Sequence, residues 1–232
     1  MSRFILVPMI LATTLAVTVA GCNRFPDLSI QVVANLAPDQ TDCGVTDDQA
    51  AVLAVGVIDR AAPDIYWSYV ITPRVESYIV SNALEFQGEQ GNMQITDFDI
   101  TIVLPDGTLP DLGDGVPNPY KVQTSAVIPP NQSAGSASQR ATFAIAIPPA
   151  YFPAVLAIPE TTGFNSFAID IQANGTTSGG FHQTSPAFRW PINFCENCLA
   201  TICELGDTAS CYPGQDIWQW CAGFVDPNAV TP

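Results

Sequence analysis

The sequence predicts an all-β protein: an Ig-like antiparallel β-sandwich of about eight strands with a disulfide-rich C-terminal cap. Apolar and polar residues alternate in many short segments between residues 28 and 194, as in strands with one buried face. The 20 prolines and 16 glycines interrupt the chain too often for long helices. Five of the seven cysteines lie within residues 195–221, which indicates a C-terminal region held together by disulfides.

The first half of the chain supplies strand candidates of unequal clarity. Alternation predicts strands at 28–36, 53–57, 65–71 and 98–104, with a further segment at 75–80. Pro73 precedes that segment, and because proline cannot donate to a central ladder, it predicts an edge or a bend there. The clearest strand is 98–104, where buried-type residues alternate with Asp97, Asp99 and Thr101.

The second half continues in the same style. Segments rich in β-branched and aromatic residues predict strands at 120–128, 141–147 and 167–173. Asn174-Gly175 predicts the start of a turn that runs through Gly179-Gly180, and residues 181–190 would return as the partner strand. Only 149–158 suits a short helix, which Pro153 limits.

The apolar run at the start of the chain ends in Val19-Ala20-Gly21-Cys22. Arg3 precedes the run and is the only charge before residue 24, as in an export leader. The 17 residues from Phe4 to Ala20 are short for a membrane span, which needs about 20. The tetrad resembles the lipobox of bacterial lipoprotein precursors.

That resemblance implies how the N-terminus is processed. In the family, the cysteine thiol receives a diacylglyceryl group, the chain is cut before the cysteine, and the new amino end is acylated. About three acyl chains, at roughly 0.8 kcal/mol per CH2, would make release of the anchor negligible. Since an aspartate after the cysteine tends to retain lipoproteins at the inner membrane, Asn23 favours the outer membrane. We therefore expect a leader at 1–21, a lipidated tether at 22–27, a sandwich at 28–194 and a cap at 195–232.

The net charge of the processed chain limits the classes of partner that it can bind. Six basic residues stand against 22 acidic ones after the leader, a net charge of −16. A chain this acidic repels nucleic-acid backbones, so we expect no nucleic-acid partner. Anionic lipid would repel it as well, so attachment to the membrane should come from the N-terminal lipid. The acidity itself is typical of a solubilising surface.

If Cys22 carries lipid, six cysteines remain to form disulfides. They are Cys43, Cys195, Cys198, Cys203, Cys211 and Cys221. Six cysteines allow about 15 pairings, which the sequence leaves open. A bond to Cys43 would close a loop of roughly 150 residues, which stabilises by about 4 to 5 kcal/mol on the chain-entropy model. Cys195-x-x-Cys198 also has the spacing of a redox pair or half a zinc site, but a structural disulfide is the favoured interpretation.

No other motif predicts a reaction, and we expect neither catalytic residues nor a cofactor nor a metal. The loop that carries Asp106, Asp111 and Asp114 offers calcium-type ligands, yet its glycines favour turns. Asp97 and Asp99 are more typical of the solvent-facing side of a strand than of a glycosidase carboxylate pair. His182 is the single histidine, and the sequence has no glycine-flanked serine for which it could act as the base. We expect it on a solvent-facing strand.

The sequence therefore predicts a non-enzymatic, lipid-anchored protein of the bacterial cell envelope with a binding or scaffolding role. Its partner would be another envelope protein or a glycan. One alternative is an outward-facing carbohydrate-binding or adhesive module that uses Tyr212, Trp218 and Trp220, because tryptophans two apart in a strand point the same way. A second alternative is a hydrolase with a cryptic carboxylate site.

Overall fold

The computed structural model describes residues 29–37, 45–48, 50–61, 68–79, 91–131, 136–196 and 198. Within this part of the chain there are eleven strands and two short helices. The strands are β1 (Ile30–Asn35), β2 (Gly56–Asp59), β3 (Tyr69–Ile71), β4 (Pro73–Ser77), β5 (Met93–Val103), β6 (Tyr120–Ile128), β7 (Ser138–Ala141), β8 (Ala144–Ile147), β9 (Ser166–Thr177), β10 (His182–Thr184) and β11 (Phe188–Cys195). The helices are α1 (Phe152–Leu156) and α2 (Ile158–Thr162). The all-β prediction is confirmed.

The largest sheet has six strands in the order β2-β11-β9-β5-β6, with β10 paired to the far half of β9. A three-stranded sheet has the order β1-β4-β7, and β3 pairs with β8 in a two-stranded sheet. All of these pairs are antiparallel except β11 and β2, which run parallel. That parallel pair was not anticipated, because alternation within a segment carries no information about its partner.

One hydrophobic core joins the sheets. Its members come from β1 to β6, β8, β9, β11 and both helices. Trp190 on β11 donates its indole N–H to the hydroxyl of Tyr69 on β3 at 2.8 Å, and both side chains are buried. Tyr120 on β6 donates its hydroxyl to the carbonyl of Ala146 on β8. Burial of Tyr120 and the nearby Tyr151 raise the pKa of this hydroxyl, which therefore stays protonated and able to donate.

The structure shows more strands than the nine predicted segments, because the segments at 141–147 and 181–190 each correspond to two strands. Thr72 separates β3 from β4, and its backbone N–H donates to the side-chain oxygen of buried Asn35 at 2.7 Å. The Thr72 hydroxyl donates to the Leu36 carbonyl. Across from this bend, the N–H of Thr142 donates to the Pro73 carbonyl at 3.1 Å. Pro73 thus marks a bend, as predicted, but it begins a central strand of its sheet rather than an edge strand.

The predicted turn at Asn174-Gly175 is wrong, since β9 runs through both residues to Thr177. Gly175 lies where neighbouring β5 has an irregularity between Ile95 and Asp97. A Cβ on Gly175 would approach the backbone oxygen of Gln94 to 2.7 Å, so the glycine permits close contact between the strands. The chain reverses later, and the N–H of Gly180 donates to the Thr177 carbonyl at 2.8 Å.

Other boundaries agree more closely. The predicted strand at 120–128 coincides with β6. The predicted strand at 53–57 lies at 56–59, and β5 begins five residues before Phe98. The segment suited to a short helix holds two one-turn helices that meet at Ala157. No helix in the described ranges is both long enough and apolar enough to cross a membrane.

Candidate functional site: a disulfide beside a buried carboxylate

The parallel pairing of β2 and β11 brings a carboxylate next to two cysteines. In the register of this pair, Asp59 is opposite Cys195, and Ile58 is opposite Phe194. Both strands end there, so the side chains of their last residues meet at one end of the sheet. Asp59 is only 1% exposed, although aspartate is almost never fully buried without partners.

Cys195 and Cys198 form a disulfide with their Cα atoms 6.0 Å apart. Cys195 is held by the ladder, since its carbonyl accepts a hydrogen bond from the N–H of Arg60 at 2.9 Å. Cys198 follows the end of β11, and neither cysteine is buried. The expected participation of these two cysteines in a disulfide is therefore confirmed, and their partners are each other.

Asp59 lies close to both sulfurs. A carboxylate oxygen of Asp59 and the Sγ atoms of Cys195 and Cys198 all lie within 4.8 Å of one another. Oδ1 of Asp59 also accepts a hydrogen bond from the N–H of Ala61 at 3.0 Å, which fixes the carboxylate orientation. Metals bind cysteine as the thiolate. Because these sulfurs are bonded to each other, the cluster in this state offers thiol–disulfide chemistry rather than metal ligation.

Arg60 forms a charged rim above this cluster. Its guanidinium pairs with Glu160 on α2, and with Glu196 between the two cysteines at 3.4 Å. Both glutamates are largely exposed, at 68% and 71% of the side chain, so each pair contributes little to stability.

A second charged group lies on the outer face of the six-stranded sheet. Lys121 on β6 contacts Asp97 at 2.9 Å and Asp99 at 2.8 Å, both on β5. Asn174 on β9 donates its amide to the same two carboxylates at 2.8 and 2.7 Å. Thr96 donates its hydroxyl to the other oxygen of Asp97. We call Asp97, Asp99, Lys121 and Asn174 the charge network.

The charge network stabilises the ionised forms of its members. Burial opposes ionisation of Asp97, but hydrogen bonds from Lys121, Thr96 and Asn174 outweigh it and lower the pKa of this carboxyl. Hydrogen bonds to Asp99 and Asp97 raise the pKa of Lys121. General acid catalysis needs one carboxyl that holds its proton near neutral pH. Asp97 is shifted in the opposite direction, which disfavours the hydrolase alternative at this face.

The acidic loop between β5 and β6 uses its aspartates to shape turns. Asp106 accepts hydrogen bonds from the N–H and hydroxyl of Thr108, and these lower its pKa. Asp111 accepts from the N–H of Gly113 at 2.9 Å. Together with Asp114, these aspartates are exposed. The side chains of Asp106 and Asp111 thus accept hydrogen bonds from backbone N–H groups two residues on, as aspartates in turns do.

His182 lies on β10 and is exposed, as predicted. Its Nδ1 is 3.0 Å from the hydroxyl of Thr176 on the neighbouring strand.

Several predicted residues lie outside the described ranges. These are Cys22, Cys43, Cys203, Cys211, Tyr212, Trp218, Trp220 and Cys221. Lipidation, the remaining pairings and the tryptophan platform therefore stay predictions. Asp59 was not among the predicted site residues, and its one signal in the sequence is its position directly after the apolar pair Val57-Ile58.

Comparison with known proteins adds little to this geometry. No family model matches the chain, and no curated protein matches it. Among solved structures, the Northeast Structural Genomics Consortium target SoR45 shares 11% identity, with 71% of this chain and 86% of that chain covered, at a TM-score of 0.28. A Bordetella pertussis protein provisionally named ApaA shares 9% identity, with 59% and 85% covered, at a TM-score of 0.26. Similarity at this level supports no conclusion about fold or function.

Proposed function

We propose that this chain is a lipid-anchored protein of the bacterial cell envelope with a non-enzymatic binding or scaffolding role. The observation that carries the proposal is the tetrad Val19-Ala20-Gly21-Cys22 at the end of an apolar leader. The Cys195–Cys198 disulfide agrees with it, because disulfides persist in exported proteins. The outer membrane is the favoured site of attachment.

An apolar strip on the outer side of β8 supports a binding role. Phe143 and Ile145 alternate with buried Ala144 and Ala146, and they are 50% and 49% exposed. Ile145 pairs across the strands with Val70, which is half-buried. We call Val70, Phe143 and Ile145 the apolar strip. Exposed apolar groups that adjoin one another are typical of interaction surfaces.

Strand addition at an edge of the six-stranded sheet has less support. The six-stranded sheet ends in β6, whose Thr124 donates its hydroxyl to the Phe143 carbonyl at 2.8 Å. Arg140 on β7 donates to the carbonyl of Val127 on β6 at 3.2 Å. The opposite end of that sheet is β2, which has four residues. Covered and short edges disfavour pairing with another chain.

The test begins with the protein extracted from membranes of the producing cells. We expect an N-terminal Cys22 whose mass includes the lipid groups, and we expect Cys22→Ala to leave an unlipidated precursor. A protein that begins at Met1, or an unmodified Cys22 in the water-soluble fraction, would contradict the anchor.

Binding is tested by cross-linking the anchored protein in intact cells. The double variant Phe143→Asp with Ile145→Asp should lose the cross-linked species at least about tenfold if the apolar strip is buried on binding. Val55→Asp is the matched control, because Val55 is also partly exposed but lies in the loop before β2. Equal cross-linking by all three proteins would refute a role for the strip.

A further inference from the structure

The Cys195–Cys198 disulfide is poorly suited to a purely structural role. It closes a loop with a sequence separation of three residues. Since the stabilisation from a cross-link grows with loop length, this pairing stabilises the fold least among those open to Cys195. It also joins β11 to the residues directly after it rather than to another described strand.

The disulfide is placed where another thiol can attack it. Cys195 is fixed by its pairing with Asp59 and by the hydrogen bond from Arg60. Cys198 lies past the end of the strand and is not buried. Exchange depends on access to the attacked sulfur. Cys198 meets this requirement, and attack there would release Cys195, which remains in the ladder beside Asp59.

Asp59 supplies a group for proton transfer beside this bond. Its carboxylate lies within 4.8 Å of both sulfurs, a separation that direct approach or one bridging water can span. The carboxylate is fixed by the N–H of Ala61. Among the described residues, the other charged groups beside Asp59 are Arg60, Glu160 and Glu196, and Arg60 pairs with both glutamates.

We propose that Cys195–Cys198 is a thiol–disulfide exchange site, with Asp59 as the acid–base group that serves Cys195. The substrate class is cysteine thiols and disulfides of exported proteins or small thiol compounds. This activity adds a reaction to the proposed binding or scaffolding role, so the two proposals differ on whether the chain is an enzyme, and the exchange does not depend on the lipid anchor.

A substrate thiolate attacks Sγ of Cys198, the Cys195–Cys198 bond breaks, and Cys195 leaves as a thiolate that takes up a proton. The second thiol of the substrate then displaces Cys198, so two electrons and two protons pass from the dithiol to the protein. In the reverse direction a substrate disulfide is the oxidant. Cys198 forms a mixed disulfide with it, Asp59 accepts the proton of the Cys195 thiol, and Cys195 displaces the substrate thiolate.

The test uses the full-length protein in detergent, reduced and then mixed with oxidised glutathione. Isotope-coded alkylation and mass spectrometry follow the state of each cysteine separately. We expect a Cys198–glutathione intermediate that Cys195 resolves, and we expect Asp59→Asn to slow the resolution at least about tenfold. Glu196→Gln removes a carboxylate from the same loop and should stay within about twofold of the parent protein.

The pH dependence separates proton transfer from a merely structural effect. With Asp59 as base, resolution in the parent protein should change little between about pH 6 and pH 8. Without it, the rate should rise about tenfold per pH unit, because the thiolate then forms by loss of its proton to solvent. The proposal is overturned if Cys198 forms no mixed disulfide, if Asp59→Asn resolves at the parent rate, or if the parent protein already shows the steep profile. The last measurement needs no variant, so it stands even if Asp59→Asn does not fold.

Discussion

The charge network and the surroundings of Asp59 are two carboxylate sites that differ in their neighbours. In the charge network, Asp97 and Asp99 share one lysine and one asparagine on the outer face of a sheet. At the end of β11, Asp59 is buried beside a disulfide. The first arrangement satisfies its charges and is suited to a stable surface. The second places a carboxyl next to a bond that thiols can open. A carboxylate at the end of a strand pair is therefore the one suited to proton transfer during thiol–disulfide exchange.

The largest expected effect is that of a substitution at Gly56 on β2, which should disturb the surroundings of Asp59 but not the charge network. A Cβ at this position would lie 2.1 Å from the Tyr69 hydroxyl and 2.8 Å from Nε1 of Trp190. Gly56→Ala should therefore displace β2 from β11 and lower the free energy of unfolding by about 2 to 3 kcal/mol. Urea unfolding measures the loss, and NMR shifts of Asp59 should change while those of Asp97 do not.

Gly179→Ala is the matched control for that substitution. Its Cβ would meet the ring of Phe181 at 3.3 Å, and this ring is 72% exposed and free to move. The change in the free energy of unfolding should stay within about 0.5 kcal/mol. If both variants lose the same free energy, the contact between Gly56 and Tyr69 does not hold β2 in place.

A smaller effect is expected from Lys121→Met. The substitution leaves Asp97 and Asp99 near each other without their shared cation, so the pKa of Asp97 should rise towards its ordinary value. The free energy of unfolding should fall by about 1 kcal/mol, since the lysine is more than half exposed. Urea unfolding measures the free energy of unfolding, and NMR titration of the carboxylates measures the pKa of Asp97. Arg189→Met, which removes the partner of Asp170, is the comparison and should lose no more.

The smallest effect concerns pH. Because the pKa of Asp97 is lowered in the folded protein, its contribution to stability is present above the unfolded value of about 3.9 and is lost as pH falls through the folded value. Asp97→Asn should therefore show a shallower loss of stability on acidification than the parent protein. Thermal unfolding between about pH 5 and pH 3 measures the slope. Parallel slopes would show that Asp97 does not contribute to the acid sensitivity.

The fold class could be predicted because alternation records one-sided burial directly. Phe98, Ile100 and Ile102 are fully buried, as their spacing indicated. Asn174-Gly175 misled because the same dipeptide suits a tight turn or a close contact between strands, and only the neighbouring strand decides between them. The candidate site could not be predicted, since Asp59 and Cys195 are neighbours only through a pairing between segments far apart in sequence.

The pairing of β2 with β11 also sets the order in which the large sheet can form during synthesis. Residues 56–59 find their partner only when residues 192–195 have emerged, so the far end of the large sheet closes last. Contacts between such distant segments form slowly, because a long loop must close first. Until then, the outer edge of residues 166–171 lacks its neighbour and can pair with another chain. A nascent chain of this protein is thus most prone to aggregate before residues 188–195 have emerged, and a chain cut short ahead of residue 188 would keep the unpaired edge.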